Sequence, residues 1–348
     1  MTARRVAYAG ERRLRIDTAE PTPPSPGEVR VDVAYTGICG TDLHILHGEM
    51  DSRVDPPCVI GHEMSGRIAQ VGAGVRDWRP GDHVTVMPLV PCRACPACRA
   101  GHAHLCHRLV FLGIDAAGSL QNSWTVPASA LVRLPADLAL EHAALVEPTA
   151  VAAHDVRRAE LRPGEQAVVV GGGPIGLLIA IVARRSGADV LLVEPDPYRR
   201  SVAEGLGLTC TDPGGGGLAE FVERWTGGAG AAAAFEVSGT AAGVTAAVDA
   251  LAARGRMVQV AIHPVAREIS LHRFFWRELT LLGARLYDRA DFETAVGLIA
   301  EGEIPARTLI SRIEPLDRAA QAFAALESRA DVMKVLVDCR TNGKADSR

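Results

Sequence analysis

The sequence has no broad excess of either charge: charged residues make up 22% of its 348 positions and the formal net charge is −4. Nucleic acid is therefore not an expected partner, because such binding rests on clustered Lys and Arg that neutralise phosphates. Aromatic residues are scarce, at 4%, and form no stacking motif of the kind that reads single strands. Long apolar runs are missing too. The longest uncharged stretch, around Ala167–Ala183, falls short of the ~20 residues a membrane helix needs, and Gly171, Gly172, Gly173 and Pro174 break it. Arg4 and Arg5 are followed by Glu11, Arg12, Arg13, Arg15 and Asp17 before any apolar segment can form, so no secretory signal is expected. The expected setting is a soluble, cytoplasmic protein with reduced thiols and no membrane association.

Cysteine, by contrast, is concentrated. Four of the eight cysteines, Cys92, Cys95, Cys98 and Cys106, fall within fifteen residues in the spacing CxxCxxCx7C. Thiolates this close on a turning loop can converge on one Zn²⁺, and a closed four-sulfur shell is structural, not catalytic. Paired disulfides are the weaker reading, because two-residue gaps strain their geometry. Cys58, Cys210 and Cys339 lie outside any metal spacing.

At 48% hydrophobic, the chain can bury two cores of ordinary size. Its first part reads as β-rich: Val29, Val31, Val33 and Tyr35 alternate with polar or small residues, and short strands follow at Gly66–Val71 and His83–Val86. From Arg162-Pro163-Gly164 onward the rhythm becomes strand and helix. Buried strands are expected at Ala167–Val170, Val190–Val193, Phe235–Val237, Met257–Val260 and Leu279–Leu282, with helices at Pro174–Ser186 and Asp196–Leu206. This is the pattern of an α/β, doubly wound parallel sheet. Gly214–Gly217 and Gly227–Ala234 read as flexible turns without chemistry. After Tyr287 the chain returns to mixed structure, ending in a strand at Val335–Val337 that rejoins the first domain, and then a polar tail, Arg340–Arg348.

Gly171, Gly173 and Gly176 form GxGxxG between the first parallel strand and a helix that Pro174 and Ile175 open. That context suits a dinucleotide: a tight turn, a close backbone approach to a pyrophosphate, and a helix N-terminus facing the anion. Glu194, at the end of the second strand, can accept both adenosine ribose hydroxyls, which favours NAD over NADP. A 2′-phosphate there would meet Glu194 and Asp196. Arg199 either flanks the adenine, tolerates a phosphate, or is a surface arginine.

Two short stretches, Gly37-Ile38-Cys39-Gly40-Thr41-Asp42-Leu43-His44 and Gly61-His62-Glu63, suggest a mixed sulfur and nitrogen shell to which Glu147 could add oxygen. Taken with the cysteine loop, Val146-Glu147-Pro148, the glycine loop and Glu194, in that order, the chain resembles the zinc-dependent medium-chain alcohol dehydrogenases over nearly its whole length. The resemblance implies a GroES-like catalytic domain (1–150 and 288–348) carrying both zinc sites and a Rossmann domain (151–287). It implies that Cys39, His62 and Glu147 hold a catalytic zinc, with water or Glu63 in the fourth place. Thr41 would take the alcohol proton, His44 would pass it towards solvent, and Asp42 would orient a ligand. The zinc would act as a Lewis acid while hydride leaves the carbinol carbon for the nicotinamide, which Val237, Ser238, Ala261 and Ile262 would line.

Glu147, where simple alcohol enzymes have cysteine, is similar to the polyol, butanediol and threonine branches of that family, as is the segment Tyr287–Glu293. The expected substrate is a small-molecule secondary alcohol: a vicinal diol, sugar alcohol or cyclitol, with L-threonine as the alternative. Two zinc ions per chain and a homodimer or homotetramer are also expected. A NAD-binding, zinc-stabilised sensor without turnover is the alternative of a different class, and it leaves Cys39, His62 and Glu147 without a purpose.

Overall fold

The computed structural model describes residues 2–214, 217–328 and 331–340. The chain divides into two compact units, Met1–Glu147 with Asp288–Arg348, and Pro148–Tyr287.

The first unit is built on a seven-stranded sheet whose order is Leu131–Arg133, His83–Val86, Glu63–Val71, Glu28–Gly37, Lys334–Asp338 and Ile310–Pro315, with Ser123–Pro127 also pairing to Glu28–Gly37. The alternation read from Val29 to Tyr35 ends at Ala34, which is buried along with its neighbours because the strand becomes enclosed on both faces. Register matters at its end. Gly37 pairs with Glu63 on one side and with Leu336 on the other, so three strands distant in sequence meet at one glycine. A Cβ on Gly37 would run into the Glu63 carboxylate and lie 3.0 Å from Lys334 Cε; the missing side chain is what lets those two groups meet.

The second unit is a six-stranded, all-parallel sheet in the order Thr209–Thr211, Asp189–Val193, Gln166–Val170, Ala231–Glu236, Leu251–Gln259 and Thr280–Gly283. Its core is aliphatic, with Val168, Val170, Leu191, Val193, Val244 and Met257 packed together. The strand order reverses between Gln166–Val170 and Ala231–Glu236, which is where a sheet of this kind opens a crevice at its carboxyl edge.

One expectation is overturned here. Ala231–Ala234, read as part of a flexible turn, is the inner strand beside the switch point, and Ala231, Ala233 and Ala234 are fully buried. Alanine has little strand propensity of its own, and what holds these four is pairing on both sides and helices that approach closely over small side chains. Of Gly214–Gly217, positions 215 and 216 lie outside the described residues, while Gly217 opens the helix Gly217–Trp225. The polar tail beyond Arg340 also lies outside them. Asp288 caps the helix Arg289–Ala300, its carboxylate accepting from Ala290 and Asp291. Among the described residues no helix is long and apolar enough to cross a membrane.

Candidate active site

Cys39 caps the short helix Gly40–Leu46. Asp42, in its first turn, reaches back so that Oδ2 accepts the Cys39 N–H at 2.9 Å, while Oδ1 stands 3.7 Å from His62 Nδ1. One buried carboxylate thus holds the cysteine backbone by a hydrogen bond and faces the imidazole across an ion-pair distance. His62 leaves a turn at Gly61, whose φ of +94° and close neighbours Thr36 and Leu120 admit no side chain. Glu63 begins the next strand. The ligand atoms of Cys39, His62 and Glu63 lie within 4.8 Å of one another. Glu147, at the start of the helix Val146–Ala159, is buried and acts electrostatically on His62 and Lys334, but stands outside that tight set.

Lys334 was not singled out from the sequence. Lys334 and Lys344 are the only lysines in the chain, and Lys334 is 4% exposed in an apolar strand. It forms an ion pair with Glu63 and donates to the Ile38 carbonyl at 3.0 Å. A lysine, one of only two in a chain that otherwise uses arginine, set in an apolar segment was the available signal.

Electrostatics describe what the pocket lacks. Burial alone would push His62 down, yet Asp42, Cys39 and Glu147 hold it well above the ordinary imidazole range. Burial would likewise lower Lys334, and Glu63, Cys39 and Glu147 raise it. Both shifts report an enclosed surplus of anionic donor groups. His62 Nδ1 and Glu63 Oε1 have no hydrogen-bond partner among the described residues. A half-buried sulfur beside a buried imidazole and a buried carboxylate with unsatisfied atoms fits a divalent, borderline-soft cation such as zinc.

The four-cysteine loop is equally cation-hungry. Cys95 Sγ lies 3.5 Å from Cys98 Sγ and 3.9 Å from Cys106 Sγ. Backbone N–H groups already point at the sulfurs: Cys92 to Cys106 at 3.2 Å, Arg108 to Cys106 at 3.3 Å, His107 to Cys95 at 3.4 Å. The Ala94 N–H draws the Cys92 thiol down to about 5, whereas desolvation and the neighbouring thiols push Cys98 up to about 12. Four thiolates cannot share so small a volume without a cation, and donors arrayed around sulfur are the usual outer support of a thiolate–metal site.

His44, exposed on the same helix as Thr41, has its Nδ1 2.5 Å from Glu49 Oε2. That bond is the leading cause that holds Glu49 below the usual carboxylate range. Glu49 also lies 3.7 Å from His47 Nδ1, a cluster that sequence spacing alone did not flag.

In the second unit Gly171 turns at φ +109°, Gly173 precedes the helix Pro174–Arg185, and a Cβ on Gly176 would collide with the Gly171 carbonyl. Glu194 is buried at the end of Asp189–Val193. Its Oε2 accepts from Gly172 N at 2.5 Å and its Oε1 from Asp196 N at 2.8 Å. Arg199 Nη1 stands 3.9 Å from Glu194 Oε2, and a Cβ on Gly173 would lie 3.6 Å from the same nitrogen, so the guanidinium overhangs the glycine loop. Ser238 backs the Gly171 turn, Val237 N donates to the Val170 carbonyl at 2.9 Å, and Ile262 is 81% exposed.

Two family profiles match the chain: one described as alcohol dehydrogenase GroES-like domain, over residues 25–136, and one described as zinc-binding dehydrogenase, over 174–301. A curated relative, 2-dehydro-3-deoxy-L-galactonate 5-dehydrogenase of Pseudoalteromonas atlantica, is 48% identical over 95% of this chain and 97% of its own. The crystal structure of 2R,3R-butanediol dehydrogenase from Bacillus subtilis superposes with a TM-score of 0.90 at 31% identity, covering 97% of this chain and 99% of that one. A zinc-binding dehydrogenase structure from Sinorhizobium meliloti, bound to NADP, does so with the same TM-score, identity and coverage.

Proposed function

The chain belongs to the zinc-dependent medium-chain alcohol dehydrogenases, and from that premise we propose that it oxidises a secondary hydroxyl of a hydroxyl-rich substrate, a polyol or sugar acid, with NAD and two zinc ions. The observation that carries this is the set of half-buried Cys39 with buried His62 and Glu63, their ligand atoms within 4.8 Å of one another and Glu147 acting on His62. The similarity to a galactonate-series enzyme places sugar acids among the candidates.

Cys39, His62 and Glu147 would hold the catalytic ion, which when bound supplies Lewis-acid polarisation of the substrate hydroxyl. Lys334 holds Glu63 by its charge, so Glu63 serves as a reserve ligand and Glu147 as a standing one. Thr41 receives the hydroxyl proton, and His44, hydrogen-bonded to Glu49, passes it to solvent. Cys92, Cys95, Cys98 and Cys106 would hold the second ion, which stiffens their loop. The first unit, with both metal sites, serves as the catalytic domain and Pro148–Tyr287 as the coenzyme domain.

The test is a screen of polyols, vicinal diols, cyclitols, sugar acids and L-threonine, with NAD⁺ and NADP⁺, read by absorbance of the reduced coenzyme. Turnover of a polyol or sugar acid is the expected result. Turnover of threonine alone would move the enzyme to the amino-acid branch, and none with zinc-replete protein would sink the reading.

NAD is preferred because a 2′-phosphate would be set against Glu194 and Asp196, and the charge of Arg199, 3.9 Å from Glu194 Oε2, is partly offset by that carboxylate. Glu194→Ala should move the ratio of kcat/KM values towards NADP by about tenfold, the removal of one like-charge contact of about 1.4 kcal/mol. An unchanged ratio would refute the ribose contact.

An edge of the parallel sheet supports assembly with a second copy. Among the described residues the strand Thr280–Gly283 pairs on one side only, and Leu271, Phe275, Trp276 and Leu281, in that strand and the helix before it, are 49–79% exposed. An open edge flanked by large apolar side chains is suited to isologous pairing with a second copy. Phe275→Glu should convert the oligomer to smaller species in light scattering; an unaltered mass would place the interface elsewhere.

A further inference from the structure

At the carboxyl edge of the parallel sheet lies a carboxylate that none of the chemistry above uses. Glu236 ends the strand Ala231–Glu236 beside the switch point and is fully buried. Its Oε1 accepts from Ser238 N at 2.9 Å, Ser238 Oγ at 2.6 Å and Gly239 N at 3.0 Å. Its Oε2 accepts from Gln259 Nε2 at 3.0 Å and lies 2.9 Å from His263 Nε2. The Glu236 carbonyl takes the N–H groups of Val260 and Ala261, both at 3.0 Å. One residue thus ties together the segment after its own strand and the segment after the next.

The direction of the histidine bond can be settled. Arg267 Nε lies 3.1 Å from His263 Nδ1, and a guanidinium can only donate. Nδ1 is then the acceptor, Nε2 carries the hydrogen, and it is aimed at Glu236. His263 itself is largely enclosed, its side chain 12% exposed, although its neighbours Ile262 and Pro264 face outward. A third segment joins the set, because Gly171 is so close to Ser238 that a Cβ there would sit 2.9 Å from its nitrogen. The glycine turn, Val237–Gly239 and Ala261–His263 are therefore fixed relative to each other through Glu236, and the exposed Ile262 is carried on the part that His263 pins.

We propose that His263 is a positioning residue for the coenzyme: acting through Glu236, it sets the backbone of Val237–Gly239 and Ala261–His263 to receive the nicotinamide end of the dinucleotide. This rests on the reading that those segments line the nicotinamide. Buried hydrogen-bond networks of this kind are stiff when every member is satisfied and loosen when one is removed. The adenine end, held by the glycine loop and Glu194, does not depend on His263.

Binding of NADH and of ADP-ribose, which lacks the nicotinamide, separates a positioning role from general damage to the domain. Titrations of the full chain, its His263→Ala variant and its His263→Gln variant supply the comparison. His263→Ala should weaken NADH about tenfold while ADP-ribose changes less than about twofold, and His263→Gln, whose amide can still donate to Glu236, should recover most of the loss. Equal NADH affinity in His263→Ala would overturn the inference, as would equal weakening of both ligands. Wild-type protein that binds ADP-ribose and not NADH would instead count against the dehydrogenase reading itself.

Discussion

Replacing Cys39 by alanine is expected to abolish turnover, by at least about a thousandfold if the Lewis acid contributes several kcal/mol, in a protein that still folds and still holds one zinc. The fold should survive because the contact that organises this corner is made by the Cys39 backbone N–H to Asp42, which alanine keeps. The four-cysteine loop is a separate cluster and should retain its ion. Metal analysis should therefore find two zinc ions per chain in the wild type and one in the variant. Undiminished turnover, or loss of both ions together, would refute the division of labour between the two sites.

The second large effect concerns the buried ion pair. Lys334→Met should destabilise the metal-stripped protein by about 3–5 kcal/mol, the usual consequence of leaving one partner of a buried pair uncompensated. Glu63 is fully buried, so bulk solvent cannot compensate its charge once the lysine is gone. Removing both charges in Lys334→Met with Glu63→Gln should regain much of the loss. With zinc present the penalty of the single variant should shrink, because Glu63 is then free to turn to the metal. Denaturant unfolding with and without chelator measures both; a single variant within about 1 kcal/mol of wild type when stripped would show that the pair is not the counter-charge described.

Much of this was legible in the sequence where spacing is itself the geometry. CxxCxxCx7C and GxGxxG work over a few residues, so Cys92 to Cys106 and Gly171 to Gly176 are found together as their spacing demands. The parallel strands were legible from Val168 and Leu191 because a strand covered on both faces has to be aliphatic. What escaped depends on distant pairing. Nothing local marks Ala231–Ala234 as a strand, since small size is demanded by the helices above it and not by the backbone. Lys334 resembled any strand-start lysine until register set it against Gly37 and Glu63, hundreds of positions away. Glu236 and His263 each look ordinary alone; only the sheet brings two loop starts side by side.

The meeting of three strands at Gly37 also carries an order in time. During synthesis Glu63 leaves the ribosome long before Lys334 does, so its carboxylate has no lysine partner until the strand Lys334–Asp338 follows and pairs. The counter-charge of this corner therefore arrives on a strand translated well after Cys39, His62, Glu63 and Glu147, and the pairing of Lys334–Asp338 with Glu28–Gly37 is what brings it to the Glu63 carboxylate.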